Sequence, residues 1–108
     1  MRSVPVGRKM RQRQPPIRDR AHLVRVARHP CLVCGLFYSQ AHHPREAYPR
    51  TMGVRIGDDT TVPLCVTHHA ELHLVNNMSF WKRYGIDPVR WARAFYAETL
   101  AQRATGRL

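Results

Sequence analysis

Residues 63–73 are the most chemically informative stretch of this chain, because one cysteine and three histidines fall within eleven residues. Thiolates and imidazoles are the side chains that best bind zinc and other first-row metals. On a helix, His69 and His73 project from one face because they are four residues apart. His68 lies about 100° round the helix from His69, so it cannot join that pair. We therefore predict two metal sites, one with Cys65 and His68 and one with His69 and His73.

The first site finds its remaining ligands in a cysteine pair thirty residues earlier. Cys31 and Cys34 have two residues between them and Gly35 after them, a spacing that turns both sulfurs toward one ion. With Cys65 and His68 they complete a Cys3His set, which is typical of closed, structural zinc sites. Alone, the pair could also be a redox motif, and buried cysteines without a metal are the other alternative. Three cysteines would leave one thiol over in a disulfide scheme, so we expect structural zinc.

The second site needs a third ligand, and the neighbouring histidines His42 and His43 are the candidates. Adjacent side chains on an extended chain point to opposite sides. One of the two would complete the site of His69 and His73, and the other would face the space in front of the ion. The alternation does not decide which is which, and a pair of ordinary surface histidines is the alternative. Three imidazoles favour zinc, manganese or nickel over strict dependence on magnesium, but do not choose among them.

Short elements must position these side chains. We predict a strand at residues 36–38, which leads into His42, and a second strand at 60–64, which pairs with it and delivers Cys65 to the helix. The arrangement is a hairpin followed by a helix, with a metal between them.

Helices are expected on both sides of this unit. The first covers 21–29 and ends at Pro30, and the metal-binding helix ends at Asn76 and Asn77. Ser79 is predicted to cap a third helix that runs to residue 84 and stops at Gly85. Asp87 and Pro88 begin a last helix, which extends to about residue 103. Four residues at four-residue spacing on this helix are expected to be core: Trp91, Phe95, Tyr96 and Leu100.

The charge of the chain indicates a polyanionic partner. Eighteen Lys and Arg stand against seven Asp and Glu, for a net charge of +11, and DNA is the first candidate. No apolar run approaches the ~20 residues of a membrane span, and the N-terminus lacks the apolar core of a signal peptide. We therefore expect no membrane association and a cytoplasmic location.

The basic residues are concentrated at the N-terminus and in one loop. Residues 1–20 hold seven basic residues, one acid and three prolines, which predicts a flexible basic arm ahead of a folded domain at 21–108. A solvated tail without a role is the alternative. In the loop at 45–59, Arg45, Arg50 and Arg55 are candidate phosphate contacts, although each could equally be a solvated surface charge.

Three motifs together resemble the HNH endonucleases of the ββα-metal (His-Me finger) superfamily: Cys-x2-Cys, Ala-His-His, and Pro-Leu-Cys-x2-His-His-x3-His. The variant is most similar to small HNH proteins of phages and prophages, over about residues 30–96. The resemblance implies an α+β fold with a small zinc-stapled ββα-metal core and flanking helices. It also implies a metal-dependent endonuclease that hydrolyses DNA phosphodiester bonds, with recombination or packaging proteins as further candidate partners.

The resemblance also assigns roles to single residues. His43 matches the general base, and imidazole suits that task because it titrates near neutral pH. The catalytic ion (zinc, manganese, nickel or magnesium) would be bound by three residues: His42, His69 and His73. The structural zinc would be bound by the Cys3His set, Cys31, Cys34, Cys65 and His68, in which His68 replaces the more usual cysteine.

One position departs from the family pattern. Thr60 stands where many members have an asparagine, which braces the loop that carries the base. A nuclease fold that has lost its activity is therefore one alternative. A non-catalytic, zinc-ribbon-like DNA-binding module is another, since it needs the Cys3His set but leaves the remaining histidines at 42, 43, 69 and 73 unexplained.

Overall fold

A computed structural model describes residues 15–49 and 55–107 of the chain. The elements are helix α1 (Arg20–Ala27), strand β1 (Ser39–His42), a 3₁₀ turn (Arg45–Ala47), strand β2 (Val62–Cys65), and helices α2 (Val66–Val75), α3 (Ser79–Tyr84) and α4 (Pro88–Ala104). The fold is thus α+β, with a two-stranded sheet and helices, as predicted. Among the helices that the structure describes, none is long and apolar enough to cross a membrane.

The two strands form an antiparallel hairpin that leads directly into α2. Ser39 pairs with Cys65 at one end of the ladder, and His42 pairs with Val62 at the other. Val62 and Leu64 are fully buried and anchor the hairpin in the core. Because β2 ends at Cys65 and α2 begins at the next residue, the hairpin fixes where the helix starts.

The predicted strand at residues 36–38 is wrong, since β1 begins at Ser39. Leu36, Phe37 and Tyr38 are 64%, 61% and 89% exposed. The turn that contains Cys31 and Cys34 explains why the strand begins later than predicted. The N–H of Cys31 donates to the carbonyl of Leu36 (3.0 Å), so the chain is still closing this turn where the apolar run occurs.

Helix α2 is capped at both ends by the residues that flank it. The Cys65 sulfur accepts a hydrogen bond from the N–H of His68 at the first turn (3.5 Å). Asn76 adopts a left-handed conformation (φ 51°) and donates its N–H to the carbonyl of Leu72, which ends the helix as predicted. Leu72 is the buried residue of this helix.

Asp19 ties α1 to α4. Its side chain caps α1 by accepting from the N–H of His22, and it also accepts from the Tyr96 hydroxyl. Both Arg103 guanidinium nitrogens donate to the same carboxylate, at 2.7 and 2.6 Å. In the same interface, His22 Nδ1 lies 2.7 Å from Thr99 Oγ1. Asp19, which the sequence assigns to the basic arm, is therefore held in the folded unit, whereas residues 1–14 lie outside the described residues.

The flanking helices start and stop largely as expected. Gly85 is left-handed (φ 66°) after α3, and Asp87 caps α4 with Pro88 at its first turn. The predicted cap of α3 is wrong, because Ser79 lies inside the helix and Asn77 accepts from its N–H.

The core lies between the hairpin and α3, around Trp81 and Phe80, which are 0% and 2% exposed. On α4, Trp91 and Phe95 stack on each other, with ring centroids 4.7 Å apart. The predicted core position of Leu100 is wrong, since it is 47% exposed. Thr99, one residue earlier, takes the buried position that faces His22.

Candidate metal centres and catalytic histidine

The Cys3His set comes together as one cluster. The four ligand atoms of Cys31, Cys34, Cys65 and His68 all lie within 4.8 Å of one another. The Cys34 and Cys65 sulfurs are 3.8 Å apart, and His68 Nδ1 lies 3.8 Å from the Cys31 sulfur and 3.3 Å from that of Cys65. Around a tetrahedral zinc, sulfurs lie about 3.8 Å apart, and sulfur and nitrogen about 3.6 Å apart. The cluster could therefore hold a metal ion such as zinc with little rearrangement.

The electrostatics of this cluster suit a cation. Burial raises the pKa of the Cys31 thiol, but hydrogen bonds from the backbones of Cys65, Cys34 and Val33 outweigh it and lower the pKa to about 6. The lowered pKa favours the thiolate of Cys31, the form in which cysteine binds metals.

Three histidines form a second cluster at the other face of α2. His42 from β1 and His69 and His73 from α2 offer ring nitrogens that all lie within 4.8 Å of one another. His42 Nδ1 and His69 Nε2 are 3.0 Å apart. The structure thus brings His42, rather than His43, toward the helical pair.

Contacts on the far side of two rings fix which nitrogens face inward. His42 Nε2 lies 3.1 Å from both carboxylate oxygens of Glu46, and His69 Nδ1 lies 2.6 Å from Gln40 Oε1. Both outer nitrogens therefore act as donors, which leaves lone pairs on the two inner nitrogens. Two lone pairs 3.0 Å apart repel unless a positive charge lies between them. This arrangement, with three imidazoles around one point and an outer carboxylate, fits a bound divalent cation.

Glu46 is a buried acid that the sequence reasoning missed. Its side chain is 3% exposed, and Oε2 accepts a hydrogen bond from Trp81 Nε1 (2.7 Å). Burial raises the pKa of Glu46, but the hydrogen bonds from His42 and Trp81 lower it by more, so the net shift is downward. Burial and the neighbouring His42 and His73 lower the pKa of His69, which favours its neutral, metal-binding form.

A family model described as "Protein of unknown function (DUF968)" matches residues 10–102. The chain belongs to this family. No curated protein matches this DUF968 chain, and no solved structure matches it.

His43 of this DUF968 protein points to a different partner from His42, as expected for neighbours at the end of a strand. Its Nε2 lies 2.9 Å from Asp58 Oδ1. Asp58 is 6% exposed, and its Oδ2 accepts from the backbone N–H of Asp19 (2.8 Å). Burial raises the pKa of Asp58, but the hydrogen bonds from Asp19 and His43 lower it more. With Nε2–H held by a carboxylate, the lone pair of neutral His43 is on Nδ1.

The orienting contact to His43 therefore comes from Asp58. Thr60 is 4% exposed, and its backbone N–H donates to the carbonyl of Gly57 in the turn that also contains Asp58. No role was predicted for Asp58 from the sequence. The sequence feature that could have indicated this role is an acidic residue two positions before Thr60. The sequence does not predict how this loop folds, and therefore does not predict that the acid reaches His43.

The candidate phosphate contacts of the DUF968 chain are dispersed. Arg45 begins the 3₁₀ turn after His43, Arg55 is exposed, and Arg50 lies outside the described residues. Arg18, which was not singled out, lies 4.0 Å from Asp58 Oδ1 with a side chain 68% exposed. It lines a cleft of about 650 Å³ between α1 and β1, which Asp58 also lines.

Proposed function

We propose that this protein is a metal-dependent endonuclease of the HNH type, which hydrolyses phosphodiester bonds in DNA. The observation that supports this best is that two adjacent histidines face different partners. His42 turns toward His69 and His73, while His43 is held by Asp58. A binding site for a cation and a base for water are thus adjacent in the chain, as hydrolysis of a phosphodiester requires.

His43 would take the proton from the attacking water through Nδ1. The carboxylate of Asp58, 2.9 Å from Nε2, keeps the ring in the tautomer with that lone pair and favours the imidazolium that forms. The side chain of His43 is 38% exposed, so water can reach it. A divalent cation, when bound by the three histidines, would supply positive charge beside the phosphoryl oxygens and the leaving oxygen.

The Cys3His cluster would serve this site by fixing the start of α2. Cys65 and His68 belong to the cluster, and His69 follows immediately in the same helical turn. A zinc ion there would hold the helix that presents His69 and His73. Its proposed role is structural, with no contact to the substrate.

Phosphate binding would come from the excess positive charge of the chain. A net charge of +11 supports binding to DNA that depends mainly on backbone contacts and little on sequence. Arg18 lies 4.0 Å from Asp58, the partner of His43, and Arg45 follows His43 by two residues in the chain. Both are proposed to contact phosphates together with Arg55. The resemblance to phage proteins extends the proposal to a role in recombination or DNA processing in the cytoplasm.

The test is nicking of supercoiled plasmid with added manganese, zinc, nickel or magnesium, and with a chelator. We expect cleavage that needs a cation. His43→Ala should retain both ions and lose about 10²- to 10⁴-fold in rate. His42→Ala should lose activity together with affinity for the second ion, and excess ion should partly restore it.

Three results would contradict the proposal in different ways. Loss of the second ion in His43→Ala, but not in His42→Ala, would exchange the roles of the two histidines. Binding of both ions and of DNA without any cleavage by the wild type would favour the non-catalytic zinc module. Cleavage that survives His43→Ala unchanged would remove His43 from the mechanism.

A further inference from the structure

The buried carboxylate of Glu46 accepts hydrogen bonds from two donors, Trp81 and His42. Trp81 Nε1 donates to Oε2 at 2.7 Å, and His42 Nε2 lies 3.1 Å from each oxygen. Trp81 is 0% exposed, so its N–H has no access to water and needs this acceptor. The position of the carboxylate is therefore fixed by the core as well as by the histidine.

We propose that Glu46 prepares His42 to bind the cation, by holding its ring in the tautomer with the proton on Nε2 and the lone pair on Nδ1. Nδ1 is the nitrogen that faces His69 at 3.0 Å. Glu46 lies outside the three-histidine cluster itself, so it acts through His42 and is a positioning residue. The inference rests on the part of the proposed function in which the histidines bind a cation, but not on DNA cleavage.

A neutral amide should be a poor replacement for the carboxylate, because both carboxylate oxygens lie 3.1 Å from His42 Nε2 and one of them also accepts from Trp81. Glutamine offers one oxygen and one NH2 group where glutamate offers two oxygens. If the oxygen accepts from the buried Trp81 N–H, the NH2 group faces His42 Nε2. Because that NH2 group would stand 3.1 Å from His42 Nε2, where glutamate has an oxygen, it repels the Nε2–H. This repulsion favours the tautomer in which His42 accepts at Nε2 and carries its proton on Nδ1, the atom that should bind the ion.

His69 provides an internal comparison. Its outer nitrogen is held by the amide oxygen of Gln40, and within residues 15–49 and 55–107 no second donor binds this oxygen. A neutral acceptor is adequate there. At His42 the negative charge also makes the ring a stronger ligand, an effect that typically changes metal affinity by about 10- to 100-fold.

The experiment compares Glu46→Gln, Trp81→Phe and the double variant with the wild type. Both measurements use protein that carries zinc at the Cys3His cluster and no ion at the histidines. Nitrogen NMR of this protein reads the tautomer of His42, and titration with cobalt(II) reads the affinity of the three-histidine site. Glu71→Gln is the matched control, because it removes the same charge from a glutamate on α2 that contacts Arg83 and Tyr84 instead.

We expect Glu46→Gln to move the His42 proton to Nδ1 and to weaken cobalt binding about 10- to 100-fold. The double variant should move the proton back to Nε2, because the glutamine oxygen then has no competing donor. Trp81→Phe alone and Glu71→Gln should keep the wild-type tautomer. Should the core substitution prevent folding, the tautomer of Glu46→Gln still decides the matter.

Glu46→Gln that keeps the Nε2–H tautomer, or binds cobalt as tightly as the wild type, would overturn the inference. Wild-type protein that binds cobalt but never cuts DNA would refute the proposed nuclease and leave the role of Glu46 intact. Wild-type protein that binds no cobalt at the histidines would overturn both, and the wild-type titration alone identifies that case.

Discussion

Replacement of Asp58 by asparagine should disable the proposed base while leaving both metal clusters in place. Asp58 Oδ1 lies 2.9 Å from His43 Nε2, and Oδ2 lies 2.8 Å from the backbone N–H of Asp19. Asparagine has one oxygen, and the backbone donor cannot rotate away. The amide NH2 group therefore faces His43, which must carry its proton on Nδ1, where it cannot accept one from water.

The size of the effect follows from the loss of one catalytic group. General base catalysis contributes about 10²- to 10⁴-fold, and each factor of ten is about 1.4 kcal/mol of activation free energy. The variant should therefore lose about 3 to 5 kcal/mol of transition-state stabilisation. The bond to Asp19 survives in the rotated amide, so the free energy of unfolding should fall by only about 1 kcal/mol.

The assay is the single-turnover rate of plasmid nicking at saturating manganese, with thermal melts on the same samples. Asp59→Asn is the matched control, because it removes the same charge from the next residue of the turn and should retain close to the wild-type rate. A folded Asp58→Asn protein that cuts DNA as fast as Asp59→Asn would refute the role given to the His43–Asp58 pair.

Three further outcomes are expected. Cys65→Ser should leave little folded protein, because structural zinc contributes about 10–16 kcal/mol of apparent binding energy in small domains; a cooperative melt near that of the wild type would contradict zinc at this cluster. Asp19→Ala should lower the free energy of unfolding by about 0.5–2 kcal/mol through loss of the α1 cap. Hydrogen bonds from Arg103 lower the pKa of Asp19 to about 2 from 3.8, so the stability that the ionised carboxylate contributes is present above pH 4 and is lost as pH falls toward 2. The free energy of unfolding should therefore depend less steeply on pH in this range in the variant. Deletion of residues 1–14 removes five basic residues and no acid, so DNA affinity should weaken for all sequences and depend less steeply on salt, whereas an unchanged salt slope would exclude the arm from binding.

The ligand sets could be predicted from the sequence because their spacing is local. The two residues between the cysteines, and the three between the helical histidines, determine which atoms within each pair can meet, whatever the rest of the chain does. The structure groups the seven predicted ligands as expected, and places His42 rather than His43 with the helical pair. Alternation along the strand predicted that the two would separate, but only the family resemblance ordered them.

Glu46 and Asp58 could not be predicted, because each lies in a segment without a repeating pattern. Their importance comes from which donors surround them after folding, namely Trp81 for Glu46 and the backbone of Asp19 for Asp58. The apolar run at 36–38 was misleading for a related reason. Apolar character predicts burial only where the backbone is free to face the core, and here the cysteine turn directs it outward.

Cys65 occupies three structural positions at once: it ends β2, its sulfur caps α2, and it belongs to the Cys3His cluster. A change at its sulfur therefore alters the first helical turn, from which His69 projects. An ion that binds one cluster and orders this turn should raise the affinity of the other cluster for its own ion. By thermodynamic linkage, the effect must be equal in both directions. With ions bound at both clusters, the two centres would form a coupled pair, and the occupancy of the Cys3His cluster would set the concentration of cation needed to fill the three-histidine site.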